Sequence, residues 1–446
     1  MKQKQEIKLS DHFTYGKLIR FTLPSIAMMI FTSIYGVVDG IFVSNFAGAT
    51  PFAAINLVMP FLMIFSAIGM MVGAGGTALV SMKLGAGRPD EAKGIFSLLT
   101  YLIIGVSLVL TLIGEFTIKQ VAVLLGATDD MLPYCVLYGR IFLIGLVAFM
   151  LQAMFQSFLI TAEKPKLGLV VTIAAGVTNM VLDALLVGLF DFGVAGAAIA
   201  TILSQSVGGI IPLIYFIAPN KSLLRLGSPS GGIRAIWMAC SNGISEFLSN
   251  VSGSIVNMVY NWQLLRLIGE EGVTAFGIIM YVCFIFIALF FGYGMGSAPV
   301  VGFHYGAGNR DELKSLFKKS LTLIGAASIV LVAAAELLAK PLAMIFVGYD
   351  ADLLALSTRA LRLYSLSYLL TGFNIFASGF FTALNNGQVS AVISFSRVFL
   401  FQVVAVIVLP LIFGANGIWL AVLVAEIFSL FVSLFFILKE KNRYGY

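Results

Sequence analysis

The sequence predicts an all-α polytopic membrane protein: twelve transmembrane helices in two parallel six-helix bundles. Three observations predict it. The 446 residues are 60% hydrophobic and only 11% charged, with a mean hydropathy of +1.01; a soluble domain carries about 25% charged residues. Apolar runs of bilayer-spanning length recur about twelve times. A glycine-centred motif also appears twice, in corresponding places of the two chain halves.

The runs lie near 17–43, 51–80, 95–117, 133–160, 167–189, 194–218, 236–265, 273–301, 316–338, 355–382, 389–412 and 416–438. Hydrocarbon offers no water to unpaired backbone groups, so the runs should be helices. A barrel would need alternating segments of about ten residues, which are absent. Met1 to Lys8 lacks the short apolar region and small-residue cleavage site of a signal peptide, so the first span is expected to stay as an anchor. The net charge of +6 is no sign of nucleic-acid binding, because basic residues also set membrane topology. Counted from the N-terminal tail, the even connections and C-terminal tail hold almost all of them. The odd connections carry only Lys119, Arg266 and Lys340, an imbalance of roughly twenty to three. Both termini are therefore expected in the cytoplasm, with the chain multi-pass in the cell membrane. Cys135, Cys240 and Cys283 form no CxxC or Cys/His spacing, so neither a disulfide framework nor a metal site is indicated.

The repeat reads Lys83-Leu-Gly-Ala-Gly-Arg-Pro-Asp-Glu-Ala-Lys93 and His304-Tyr-Gly-Ala-Gly-Asn-Arg-Asp-Glu-Leu-Lys314, an offset of 221. The same offset relates Phe192-Gly193-Val-Ala-Gly196 to Phe413-Gly414-Ala-Asn-Gly417, and Thr161-Ala162 to Thr382-Ala383. Six spans per half is an even number, so both halves start on the same side and the repeats are parallel. The expected division is a first bundle at 1–218, a polar linker at 219–235 rich in glycine and proline, and a second bundle with tail at 236–446.

Two acids lie deep. Asp39 is roughly 28 Å along its helix from Arg20, and Asp183 roughly 24 Å from Leu167. Asn179 precedes Asp183 by four residues and shares its helix face. Thr201, entering from the other side, reaches a similar depth, roughly 20 Å from the cytoplasmic edge. A carboxylate at that depth faces the protein interior or a water-filled cavity. Two carboxylates, an amide and a hydroxyl suit a hard cation such as sodium; burial also favours a neutral carboxyl, which suits a proton carrier.

On these residues the chain resembles the multidrug and toxic compound extrusion (MATE) family of antiporters. The resemblance spans almost the whole length: twelve spans in two halves, glycine-centred loops after the second and eighth, Pro24 and then Val38-Asp39 in the first, and Asn179, Asp183 and Thr201 in the fifth and sixth. It implies a coupling-cation site at Asp39, Asn179, Asp183 and Thr201, DinF-like in its polar cluster. NorM-like members place coupling acids in the seventh and tenth spans. Here Glu246 sits too early in the seventh, and the tenth has no carboxylate between Arg362 and Thr382.

The second half carries Glu246, Arg397 and Glu426 at depths of roughly 10–18 Å from the cytoplasmic side. An unpaired arginine there is improbable, so Arg397 is expected to pair with an acid and tie helices together. Tyr35, one turn before Asp39, and Gln152 and Gln156 are candidates to line a substrate cavity. His304 is expected to be a solvated loop residue. The Gly-Ala-Gly loops lack GxxxxGK[ST], so no nucleotide site is expected and the energy source should be an ion gradient. With His12 and His304 outside the spans, an integral membrane enzyme is not expected.

The expected function is export of organic cations or other amphiphilic drugs by a monomer in the bilayer, driven by H+ or Na+ with no cofactor. The first span would bend near Pro24, where a backbone hydrogen bond is missing. The nearest rival is a lipid-linked oligosaccharide flippase, which would want more deep cationic groups than Arg397 alone. Coupling is expected in the first half only, because the offset takes Asn179 to Leu400, Asp183 to Val404 and Thr201 to Val422. The best counterpart of Asp39 is Asn257, which cannot titrate.

Overall fold

A computed structural model describes residues 7–46 and 48–446. Among them the regular structure is helical, with no strand. The first half comprises α1 (Tyr15–Phe46), α2 (Ala49–Gly85), α3 (Pro89–Leu124), α4 (Leu132–Ile144), α5 (Leu146–Thr161), α6 (Pro165–Leu182), which continues as a π-helical turn over Asp183–Leu189, and α7 (Gly193–Ile217). The second comprises α8 (Gly232–Leu267), α9 (Glu270–Gly306), α10 (Arg310–Val347), α11 (Ala351–Ser365), α12 (Tyr368–Ala383), α13 (Gly387–Phe395), which runs through a π-helical turn at Ser396–Leu400 into α14 (Phe401–Phe413), and α15 (Ala415–Tyr444).

Among the described residues, nine helices are long and apolar enough to cross a bilayer. Two further spans are bent pairs: α4 and α5 meet at 60°, and α11 and α12 at 47°. Gly145 sits at the first bend, and the Thr111 hydroxyl donates to the Leu143 carbonyl there at 2.9 Å, satisfying a group the break exposes. α8 supplies the twelfth span by length but not by hydropathy. It carries Asn242, Ser245, Glu246, Ser249 and Asn250, and packs against α2, α9 and α13, so its polar face is turned inward. α1 runs as unbroken helix through Pro24, whose ring is buried.

The duplicated glycines explain how the bundles meet. In each Gly-Ala-Gly loop the second glycine, Gly87 or Gly308, adopts positive φ (71° and 68°) and ends its helix in a left-handed cap. The first glycine does something else. A Cβ on Gly85 of α2 would strike the Phe303 carbonyl of α9, and a Cβ on Gly306 of α9 would strike the Met82 carbonyl of α2. Each copy of the motif thus lets its helix press backbone to backbone on the other half. The same reciprocity holds deeper. Gly75 and Gly243 let α2 and α8 touch, and their counterparts at the offset of 221, Gly296 and Thr22, bring α9 onto α1. All these crossings lie toward the end that bears both termini, so the halves are closed together there.

Substituting Gly85→Val would hold α2 and α9 apart at this end, costing about 1–3 kcal/mol by overpacking. Its melting temperature is expected to fall, whereas Gly105→Ala, with open space around the added Cβ, should leave it unchanged. Equal melting temperatures for both variants would contradict the reading of this crossing.

Candidate functional site

The first-half cluster draws on four helices. α1 supplies Tyr35 and Asp39. α6 supplies Asn179 in its last turn, and the π-helical turn that continues it opens on Asp183. α7 contributes Thr201 and Gln205, and α4 contributes Tyr138. Asp39 lies against both Asp183 and Asn179. Asp183 is 0% exposed and Asn179 2%. Neither oxygen of Asp183, nor Oδ1 of Asp39, has a hydrogen-bond partner among the described residues. Tyr35 reaches Gln205, and Tyr138 reaches Thr201. The Thr201 hydroxyl also donates to the Ala197 carbonyl at 2.9 Å. Gly176, one turn before Asn179, leaves room for the rings of Phe31 and Tyr35, which bring α1 close to α6. The π-helical turn inserts an extra residue just where Asp183 sits, a deviation frequent at functional sites.

Two carboxylates in contact inside a membrane protein repel strongly unless a cation lies between them, either a shared proton or a bound metal ion. No group of three or more His, Cys, Asp or Glu side chains that could hold a metal occurs among the described residues. A sodium ion here would need the Asn179 amide and a hydroxyl to complete its oxygen shell.

A separate cavity lies between the two halves. Its walls include Thr77, Gln156 and Ser157 from the first half, Glu246, Ser378, Thr382, Ser394 and Arg397 from the second, and a methionine-rich remainder, Met29, Met70 and Met295. Gln156 faces this cavity. Gln152 instead is buried against Gly208 of α7, and Tyr35 belongs to the acid cluster. Arg397, on the second π-helical turn, donates through Nη1 to Glu426 Oε1 at 3.2 Å. Glu426, 1% exposed, also accepts from Asn374 Nδ2 at 2.7 Å, and Ser433 Oγ donates to Asn374 Oδ1 at 2.8 Å. Glu246 lines the cavity within electrostatic reach of Arg397. Arg397 is the one basic residue on the cavity wall among the described residues, so a phosphate headgroup would meet no cationic cluster.

Some of this has no clear trace in the sequence. Tyr138 is one aromatic among many. Gln205 could have been found, since it stands four residues after Thr201 at similar depth. A hydroxyl ladder beside Arg397 also went unseen: Ser378 Oγ lies 2.8 Å from Ser390 Oγ and 2.6 Å from Ser394 Oγ, and Thr382 Oγ1 lies 2.7 Å from Ser390 Oγ. Its members sit four residues apart on α12 and α13, a spacing that marks one helix face. His304 is a correction. It is not a solvated loop residue but is 3% exposed in the last turn of α9. The chain ahead of α1 folds over it and sets Phe13 edge-on to its ring, 6.4 Å between centroids. The counterparts Leu400 and Val404 are 46% and 50% exposed, so the second half builds no polar site at the duplicated positions.

The chain is similar to known proteins over nearly its whole length. The chain is 22% identical over 444 residues to the multidrug export protein MepA of Staphylococcus haemolyticus (strain JCSC1435), covering 99% of this chain and 97% of that one. It is 21% identical to MepA of Staphylococcus aureus (strain MSSA476), covering 99% and 98%. Its fold is similar to a structure described as the outward-facing conformation of a multidrug resistance MATE family transporter of the MOP superfamily, with a TM-score of 0.92, 21% identity and 99% of each chain covered. The MatE family matches twice, at residues 24–185 and 247–408, once in each half. The chain belongs to the MatE family of membrane transporters.

Proposed function

We propose that this protein exports amphiphilic, predominantly cationic small molecules from the cytoplasm, driven by inward flow of protons or sodium through Asp39 and Asp183. The observation that carries the reading is the contact of half-buried Asp39 with fully buried Asp183, neither of whose oxygens accepts a hydrogen bond from a described donor, beside Asn179 in the first bundle. Such a pair changes its interactions when a cation enters and again when it leaves, which is what coupling requires. The proposed units are residues 1–218 and 236–446, joined by a linker at 219–235, with both termini in the cytoplasm, acting as a monomer in the cell membrane.

In this mechanism a cation entering from outside joins Asp39 to Asp183 and removes their repulsion. α1 then shifts against α6, with the region of Pro24 taking up the bend, because the Arg20 carbonyl has no N–H to accept from there. The central cavity is reshaped and substrate leaves outward. Glu246 and the neutral Arg397–Glu426 pair together carry one formal negative charge, which favours a positively charged substrate group. The methionines adapt to varied apolar bodies.

The test is efflux of a cationic dye from proteoliposomes under a pH gradient alone, a sodium gradient alone, and neither. Efflux driven by one gradient and absent without both supports the reading and identifies the ion; efflux indifferent to both would overturn it.

A further inference from the structure

Residues 7–14, ahead of α1, form no regular helix, yet Leu9 and Phe13 are both 0% exposed. The Leu9 N–H donates to Glu163 Oε1 at 2.6 Å. Glu163 lies in the turn between α5 and α6, in the first half, and holds φ at 59°, a left-handed conformation that glutamate rarely adopts. The other end of the segment is continuous with α1, also of the first half. Its middle belongs elsewhere. The Phe13 N–H donates to Glu312 Oε1 at 2.8 Å, His12 Nδ1 bonds to Glu312 Oε2, and the Lys319 ammonium donates to the Phe13 carbonyl. Glu312 and Lys319 are on α10, in the second half, and the Glu312 N–H is itself capped by Asn309 Oδ1 at 3.1 Å. The Phe13 ring packs edge-on against Phe21, 5.8 Å away, and against His304.

The segment is therefore a hook fastened to the first half at both ends and gripped in the middle by the second. Its bonds to Glu163 and Glu312 are charge-assisted, roughly twice as strong as neutral ones. It spans the end at which the glycine crossings hold the halves together. If access alternates between the two ends, the halves must part here. The hook cannot follow both, because α1 and the Glu163 turn draw it one way and Glu312 and Lys319 the other.

We propose that residues 7–14 are a latch, with Glu312 and Lys319 as its keeper, and that release of His12 and Phe13 from the keeper is a required step in opening the cavity at the termini end. This rests on the alternating-access export reading, and two arms of one experiment separate them. Both use the full chain with Cys135, Cys240 and Cys283 replaced by serine. In the first, His12→Cys and Glu312→Cys, whose side chains touch in the native protein, are joined by a short cleavable bis-thiol reagent in proteoliposomes. Dye efflux is expected to fall to background when bridged and to return on reduction, while either single cysteine is unaffected by the reagent. In the second, Ser157→Cys reports on the cavity wall, and a charged, impermeant thiol reagent is added from the termini side. Phe13→Ala and, separately, the milder Lys319→Ala are expected to raise its modification rate severalfold. Full efflux from the bridged protein, or an unchanged modification rate in both variants, would overturn the latch. If the unbridged protein moves no dye at all, the export reading fails, and the reporter arm still decides the latch.

Discussion

Asp183→Asn, and equally Asp39→Asn, is expected to cut ion-driven efflux to below about a hundredth of the unsubstituted rate, the scale on which loss of a single proton-transferring group is felt. An amide keeps the shape and can hydrogen-bond, but it cannot pick up and release a proton or supply negative charge to a sodium ion. The fold should survive. Asp183 is fully buried and neither of its oxygens accepts a hydrogen bond from a described donor, so removing its charge removes a repulsion with Asp39. Melting temperature in detergent should therefore stay level or rise while gradient-driven efflux disappears. A variant that melts much lower yet still couples would mean that the pair is a structural tie.

Arg397→Met is expected to have the opposite signature, a large loss of stability. The substitution leaves the Glu426 carboxylate, 1% exposed, with Asn374 as its remaining side-chain partner. Breaking a buried pair from one side costs about 3–5 kcal/mol. The double substitution Arg397→Met/Glu426→Gln removes both charges together and should recover most of that loss. Thermal unfolding of the three proteins checks this. If Arg397→Met melts normally and transports nothing, the guanidinium serves the cavity and not the helix packing.

The parts of this structure legible in the sequence are those that physics makes periodic or rare. Bilayer thickness forces long apolar runs, so the spans can be counted, and the repeat of Gly85 and Gly87 at Gly306 and Gly308 exposes the duplication. A carboxylate in hydrocarbon is rare enough for Asp39 and Asp183 to stand out, as Glu246 and Glu426 do in the second half. Other features depend on contacts between distant residues. Tyr138 reaches Thr201 because α4 packs against α7, and nothing around it in the chain distinguishes it. The Leu9 and Phe13 amides are captured by carboxylates 154 and 299 residues away, through backbone atoms that every residue possesses. The burial of His304 is hidden in the sequence for the same reason: its cover comes from the far end of the chain. α8 falls short of the hydropathy of a span because its polar side chains face α2, α13 and the cavity.

The central claim is that one cation site, in the first half, drives transport. It is tested most directly by following ion uptake and dye efflux together in the same proteoliposomes, for the unsubstituted protein, Asp183→Asn and Glu246→Gln. The account predicts a fixed ratio of ions to dye in the unsubstituted protein and no dye-linked ion uptake in Asp183→Asn. Glu246→Gln should keep the same ratio with weaker dye affinity, because it alters the cavity and leaves the acid pair intact. Coupled uptake that persists in Asp183→Asn and vanishes in Glu246→Gln would place the working site in the second half and contradict the account.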